Sequence, residues 1–220
     1  MKSLVVLLTG FGPFPGAPFN PTGPLVHRLA RLRRPGLADV RLTAHVFPTS
    51  YRAVDEELPR LLSRLRPDAV LMFGLAAGSR CLRVEMRARN AVSALIRDTE
   101  GRSSFAASIV PGGPHALHFD APANRLVLAA RAAGLPARLS HDAGRYLCNY
   151  LSWRAIEAAT QPAGPRLAAF VHVPRPIIKP ARRGARRRPL MGMADMVRGG
   201  EAILLAAVAA ARARRRTKEK

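Results

Sequence analysis

Leu4-Val5-Val6-Leu7-Leu8-Thr9 runs directly into Gly10-Phe11-Gly12-Pro13-Phe14-Pro15-Gly16-Ala17-Pro18-Phe19-Asn20-Pro21-Thr22. A short run of leucine and β-branched residues bounded by glycine and proline is the pattern of a buried strand entering a loop. Outward from it, Leu25 to Arg34 reads as a helix ending near Pro35-Gly36, and Val40 to Phe47 alternates like a strand. Pro48-Thr49-Ser50 precedes a helix from Tyr51 to Leu65, in which Val54, Leu58, Leu61, Leu62 and Leu65 recur at helical spacing. Pro59 either kinks that helix or shifts its start. Ala69-Val70-Leu71-Met72-Phe73-Gly74 is the next strand. Strand, loop, helix, strand, helix, strand is the rhythm of a layered α/β fold.

The rest of the chain continues it. Cys81 to Asn90 alternates apolar and charged residues and reads as one strand, with Glu85 on the face of Arg83 and Arg87. Residues 97–121 are polar and rich in Gly and Pro, so loops with at most short strands are expected. Ala123 to Ala133 reads as a helix ended by Gly134, Arg138 to Ser140 as the approach to a small-residue turn, and Tyr146 to Ala159 as a helix. Leu167 to Val173 is a further strand, and Asp195 or Gly199 opens an alanine-rich helix to about Arg212. One domain over residues 1–211 is expected, followed by a disordered basic tail, 212–220.

At 220 residues the chain can bury a full core without disulfides or metals. Lys+Arg 36 against Asp+Glu 14 gives a formal charge of +22, which attracts phosphates and acidic surfaces at long range. The arginines are spread along the chain, however, and the two densest clusters, Arg182 to Arg188 and Arg212 to Lys220, lack interleaved aromatics that stack on bases. A solvated loop and a frayed tail are the favoured readings, and nucleic acid is not the expected partner. Cys81 and Cys148 are the only cysteines, and the apolar start is short for a signal peptide, so a reduced, cytoplasmic protein is expected. No apolar run reaches the ~18 to 20 residues of a spanning helix, and no membrane association is expected.

Chemistry is suggested by Ala143-Gly144-Arg145-Tyr146-Leu147-Cys148-Asn149 and by Phe170-Val171-His172-Val173-Pro174. Cys148 falls near a helix N-terminus, where the dipole and free amides favour a thiolate, although an inert buried thiol is the ordinary fate of a cysteine. His172 ends a strand, where sites gather in α/β folds, although a satisfied core histidine is the ordinary outcome. Glu85 by itself reads as a strand carboxylate paired with Arg83 or Arg87. The phenylalanine-bearing loop after the first strand reads equally as a pocket wall or as a loop tucked on the core.

Five ordered blocks resemble the pyroglutamyl peptidase I family (pyrrolidone-carboxylate peptidases, cysteine peptidases). They are Thr9 to Phe14 with Asn20-Pro21-Thr22, Gly74 to Arg80, Val84-Glu85 with Asn90, Ala143 to Asn149, and Val171 to Pro174. The resemblance implies a three-layer α/β/α sandwich around a mixed, mostly parallel sheet, with no metal or organic cofactor. It implies cleavage of the amide bond after an N-terminal pyroglutamyl residue through a thioester. On it Cys148 is the nucleophile, His172 the proton carrier and Glu85 the group that orients the imidazole. Phe11 and Phe14 would sandwich the lactam, Asn20 would hold the loop or a substrate carbonyl, Thr49 and Ile96 would complete the walls, and Leu75 would bind through its backbone amide and carbonyl. The resemblance also raises a homo-oligomer. Departures include Leu75 where the family often has glutamine and Leu95 where it usually has arginine, for which Arg97 is a substitute on the same expected strand face. A thiol amidase of shifted substrate and a catalytically silent basic binding protein stand as the alternatives.

Overall fold

The alternation of each central strand sorts its side chains onto two faces, and both faces are covered. The structure is a computed structural model describing residues 3–102, 107–176 and 191–218. In chain order its elements are β1 Leu4–Phe11, α1 Thr22–Ala30, β2 Val40–Phe47, α2 Tyr51–Leu65, β3 Ala69–Leu75, β4 Leu82–Glu85 and β5 Arg87–Arg89. They continue with β6 Ala116–His118, α3 Ala123–Ala132, β7 Ala137–Ser140, α4 Leu147–Thr160, β8 Leu167–Val173 and α5 Met193–Lys218. Six strands form one sheet in the order β2-β1-β3-β8-β4-β7, and β5 pairs separately with β6. Every neighbouring pair in the large sheet is parallel except β4 with β8.

Leu4, Val6, Leu8, Leu71, Phe73, Ala169 and Val171 point into a core closed by α1, α3 and α5. Leu7, Val70, Met72, Ala168 and Phe170 point the other way, into a core closed by α2 and α4. This is the expected α/β/α sandwich, and it follows from the two-residue period of strands carrying apolar side chains on both faces. Residues 4–9, 40–47, 51–65, 69–74 and 167–173 fold as their patterns predict. Ser50 caps α2 by accepting from the Ala53 amide, and Pro59 sits within an unbroken helix.

Four expectations change. The helix read as Leu25 to Arg34 starts at Thr22 and ends at Ala30; the Asn20 carboxamide accepts the Thr22 amide, and Pro35 opens a separate 3-10 turn. The strand read through Cys81 to Asn90 breaks at Met86, whose amide donates to the Ser140 carbonyl and whose carbonyl accepts from Phe119. One half therefore joins the large sheet and the other half joins β6. The segment around Leu95 to Arg97 is loop, not strand, so no shared strand face relates those two residues. Finally, the basic run after Ala211 is helical through Lys218 rather than a disordered tail. Arginine is a good helix former, and Arg212 reaches the Gly36 carbonyl and Asp39, while Arg214 reaches the carbonyls of Arg166 and Asp120. Arg182 to Arg188 lies outside the described residues.

Candidate active site

The parallel strands β1, β3 and β8 deliver their carboxyl ends to one edge of the sheet, where open α/β sheets place their sites. His172 is the penultimate residue of β8 and pairs with Gly74 of β3 on one side and Arg83 of β4 on the other. Glu85 ends β4 opposite Ser140 of β7. Cys148 comes from α4, one residue after the helix begins. Ahead of it lies a turn in which Gly144 takes a positive φ of 83° and donates its amide to the Asp142 carboxylate. A side chain at that φ is strained, so glycine fits the bend that aims the helix start at the sheet.

The structure brings these three groups together. His172 Nδ1 lies 2.7 Å from Glu85 Oε1, and its ring lines the same cleft as the Cys148 sulfur. Both His172 and Glu85 are buried, while Cys148 is half-buried. Burial pushes the imidazole pKa down, but the attraction of a thiolate at Cys148 and the hydrogen bond to Glu85 prevail, raising it to about 9. Burial likewise pushes Glu85 up, yet His172, the Ser140 hydroxyl and the Arg83 charge hold it below the usual carboxylate range. The pair therefore sits as carboxylate and imidazolium near neutrality. Tyr146, the N-cap of α4, makes no side-chain cap, so the first-turn amides beside Cys148 remain available to an anion.

Above the sulfur lies a cleft of about 150 Å³ lined by Phe11, Phe14, Asn20, Thr49, Leu75, Ala143, Tyr146, Leu147, Cys148 and His172. Roomier recesses, about 610 Å³ beside Pro35 and about 580 Å³ beside Asp68, are lined by neither Cys148 nor His172, and chemistry rather than size selects the smaller one. The loop after β1 is fixed from below. Asn20 Nδ2 and Thr49 Oγ1 both donate to the Gly12 carbonyl, and Asn20 Oδ1 accepts the Thr22 amide and hydroxyl. Of the two expected roles of Asn20, the structure displays the loop-holding one. Phe14 closes a tight turn with Ala17 and leans on Tyr146, ring centroids 6.4 Å apart.

Five of the six residues expected to meet substrate thus line the cleft. Ile96 does not; it is half-exposed, and Leu95 beside it is 94% exposed. Arg87 turns away from Glu85 to the His141 carbonyl, whereas Arg83 reaches it. Sequence reasoning missed Tyr146 and Gly74. Tyr146 supplies a wall two residues before the cysteine and donates its hydroxyl to the Arg97 carbonyl. At Gly74 the spacing is the signal: a Cβ there would lie 2.7 Å from Cys148 Sγ. Among the described residues no group of three or more His, Cys, Asp or Glu side chains could hold a metal ion, and no helix is long and apolar enough to cross a membrane.

Comparison with known proteins points to one family. A family model described as pyroglutamyl peptidase matches residues 4–213. The pyrrolidone-carboxylate peptidase of Pyrococcus furiosus is 33% identical over 169 residues, covering 77% of this chain and 80% of that protein. The one from Pseudomonas fluorescens strain SBW25 is 34% identical over 207 residues, 92% of each. The solved structure of pyrrolidone carboxyl peptidase from Thermococcus litoralis superposes with a TM-score of 0.83 at 28% identity, covering 95% of this chain and 94% of that one.

Proposed function

The chain belongs to the pyroglutamyl peptidase family, and on that premise we propose that it is a cysteine peptidase that releases N-terminal pyroglutamate from peptides, with Cys148, His172 and Glu85 as its catalytic group. The observation that carries the assignment is the buried imidazole held by a carboxylate at the floor of an aromatic cleft that the Cys148 thiol also lines. Cys148 Sγ attacks the pyroglutamyl carbonyl carbon, and the oxygen's developing charge is met by the first-turn amides of α4. His172 passes its proton to the departing peptide amine as the C–N bond breaks, leaving a thioester. Water then attacks the thioester carbonyl while His172 takes its proton, and the C–S bond breaks to release pyroglutamate and restore the thiolate and imidazolium. Glu85 holds Nδ1 and offsets the charge of the imidazolium throughout.

Substrate choice follows from the cleft. A lactam has no free ammonium to pair, and the walls present Phe11, Phe14, Leu75 and Tyr146 rather than a carboxylate. We place the whole reaction on one domain, because the catalytic group draws on β4, β8 and α4 of a single sheet-centred core. Cys81 and Cys148 are both free thiols, which suits a reducing cytoplasm. The test is turnover of a pyroglutamyl coumarylamide. Cys148→Ala and His172→Ala should each lower kcat by at least ~1000-fold in a protein that still folds. Wild-type turnover confined to other amides would favour a thiol amidase of shifted substrate, and undiminished turnover by Cys148→Ala would end the assignment.

A further inference from the structure

Arg83 stands directly across from His172 in the one antiparallel pairing of the large sheet, so both side chains rise on the same face. Glu85, two residues on, shares that face, and Ser140 stands opposite Glu85. The Arg83 guanidinium is 3.1 Å from Glu85 Oε1, the same oxygen that meets His172. It also donates to Ser140 Oγ at 2.6 and 3.2 Å and to the Asp142 carbonyl, which fix its fork in place. Its side chain is 19% exposed, that of His172 6% and that of Glu85 0%. Glu85 Oε2 is buried without a hydrogen-bond partner, so the carboxylate's strongest contacts converge on Oε1.

We propose that Arg83 is a positioning residue that keeps the group formed by half-buried Cys148 and the buried His172 and Glu85 electrically neutral. Thiolate, imidazolium and carboxylate together carry one net negative charge, and thiol, neutral imidazole and carboxylate carry the same. A buried, uncompensated charge is costly in either state, and Arg83 cancels it in both. Among the described residues no other cation does so: Arg87 is turned to the His141 carbonyl, and Arg89 lies 3.6 Å from the Asp142 carboxylate. From α4 the facing group is Cys148, from β8 His172, and from β7 the uncharged Ser140. A fixed cation beside proton-binding groups favours proton loss from each of them.

The inference rests on the proposed pairing of Cys148 with His172, and its test requires no substrate. The rate of Cys148 alkylation by iodoacetamide is followed against pH, beside kcat/KM for the pyroglutamyl coumarylamide and a melting curve. Arg83→Met and Arg83→Gln should move both limbs of the alkylation profile upward by about one pH unit. Arg83→Lys, which keeps the charge but not the fork, should hold the limbs in place and lose only several-fold in kcat/KM. Coincident profiles for wild type and the neutral variants would overturn the proposal. If both neutral variants fail to fold, a folded Lys variant with wild-type limbs supports the charge role. A Lys variant that also fails would show that shape, not charge, is required. A wild-type enzyme inert toward the pyroglutamyl amide would refute the peptidase reading and leave this alkylation result to stand by itself.

Discussion

Gly74→Ala adds one methyl group where the sheet and α4 come closest, and its effect can be worked from distances. The new Cβ would sit 2.7 Å from Cys148 Sγ and 2.6 Å from Phe170 Cζ, where ordinary contact begins at 3.4 Å. Both contacts are therefore short by about 0.7 to 0.8 Å, well inside the repulsive wall. The Phe170 ring is fully buried and packs against the His172 ring at 5.0 Å between centroids, and Gly74 is locked in register with His172. Cys148, with one short rotatable side chain, is left to yield, and turning its χ1 carries sulfur away from the imidazole. A displacement of ~1 Å at a reacting atom is worth ~100-fold in rate. Overpacking of this kind also destabilises by about 1–3 kcal/mol, a fall in Tm of several degrees for a chain of this size. Turnover of the pyroglutamyl coumarylamide and a thermal melt read the two effects separately. Adding Phe170→Leu should recover stability without recovering rate, because the sulfur contact remains. A folded Gly74→Ala enzyme within threefold of wild-type kcat/KM would refute the reasoning.

Two other outcomes follow from the same site. Asn20→Ala removes the donor to the Gly12 carbonyl and the acceptor of the Thr22 amide, so the Phe14 loop loosens; KM should rise about 10-fold with kcat little changed, in line with ~1–2 kcal/mol of lost hydrogen bonding. A fall in kcat at constant KM would show that the loop positions the chemistry instead. The folded-state pKa of His172, about 9, lies above its ordinary 6.5, so its contribution to stability is complete below pH 6.5 and is lost as pH rises through 9. Melting temperature should decline across that window, and His172→Gln should flatten the decline; an equal slope in the variant would place the effect on another group.

What the sequence shows and hides follows from how far each signal reaches. Strands such as Leu4 to Thr9 and Leu167 to Val173 are legible because burial on both faces leaves a continuous apolar run bounded by turn residues. Cys148 is legible because a glycine-bearing turn and a helix start are local features, and His172 because a proline ends its strand. The break at Met86 is hidden, since the alternation of Cys81 to Asn90 is the same whether one partner or two supply the hydrogen bonds. The helical tail is hidden because a basic run looks solvated until the acceptors at Gly36, Asp39, Asp120 and Arg166 are in place. Ile96 looked like a wall by its place in an ordered motif, but the path of a loop decides which side chains face a cleft.

Arg83 shows the limit most sharply. In the sequence it was only the residue that made Glu85 look ordinary, a neighbouring charge that explained a strand carboxylate away. Its meaning depends on β4 running against β8, and that reversal sets Arg83 beside His172 while Glu85 reaches Nδ1. Nothing in residues 82–85 announces their direction, because a strand's alternation reads the same for parallel and antiparallel neighbours. The roles proposed for Cys148, His172 and Glu85 came from the family resemblance and from their meeting in space, whereas the charge that balances them depends on strand order.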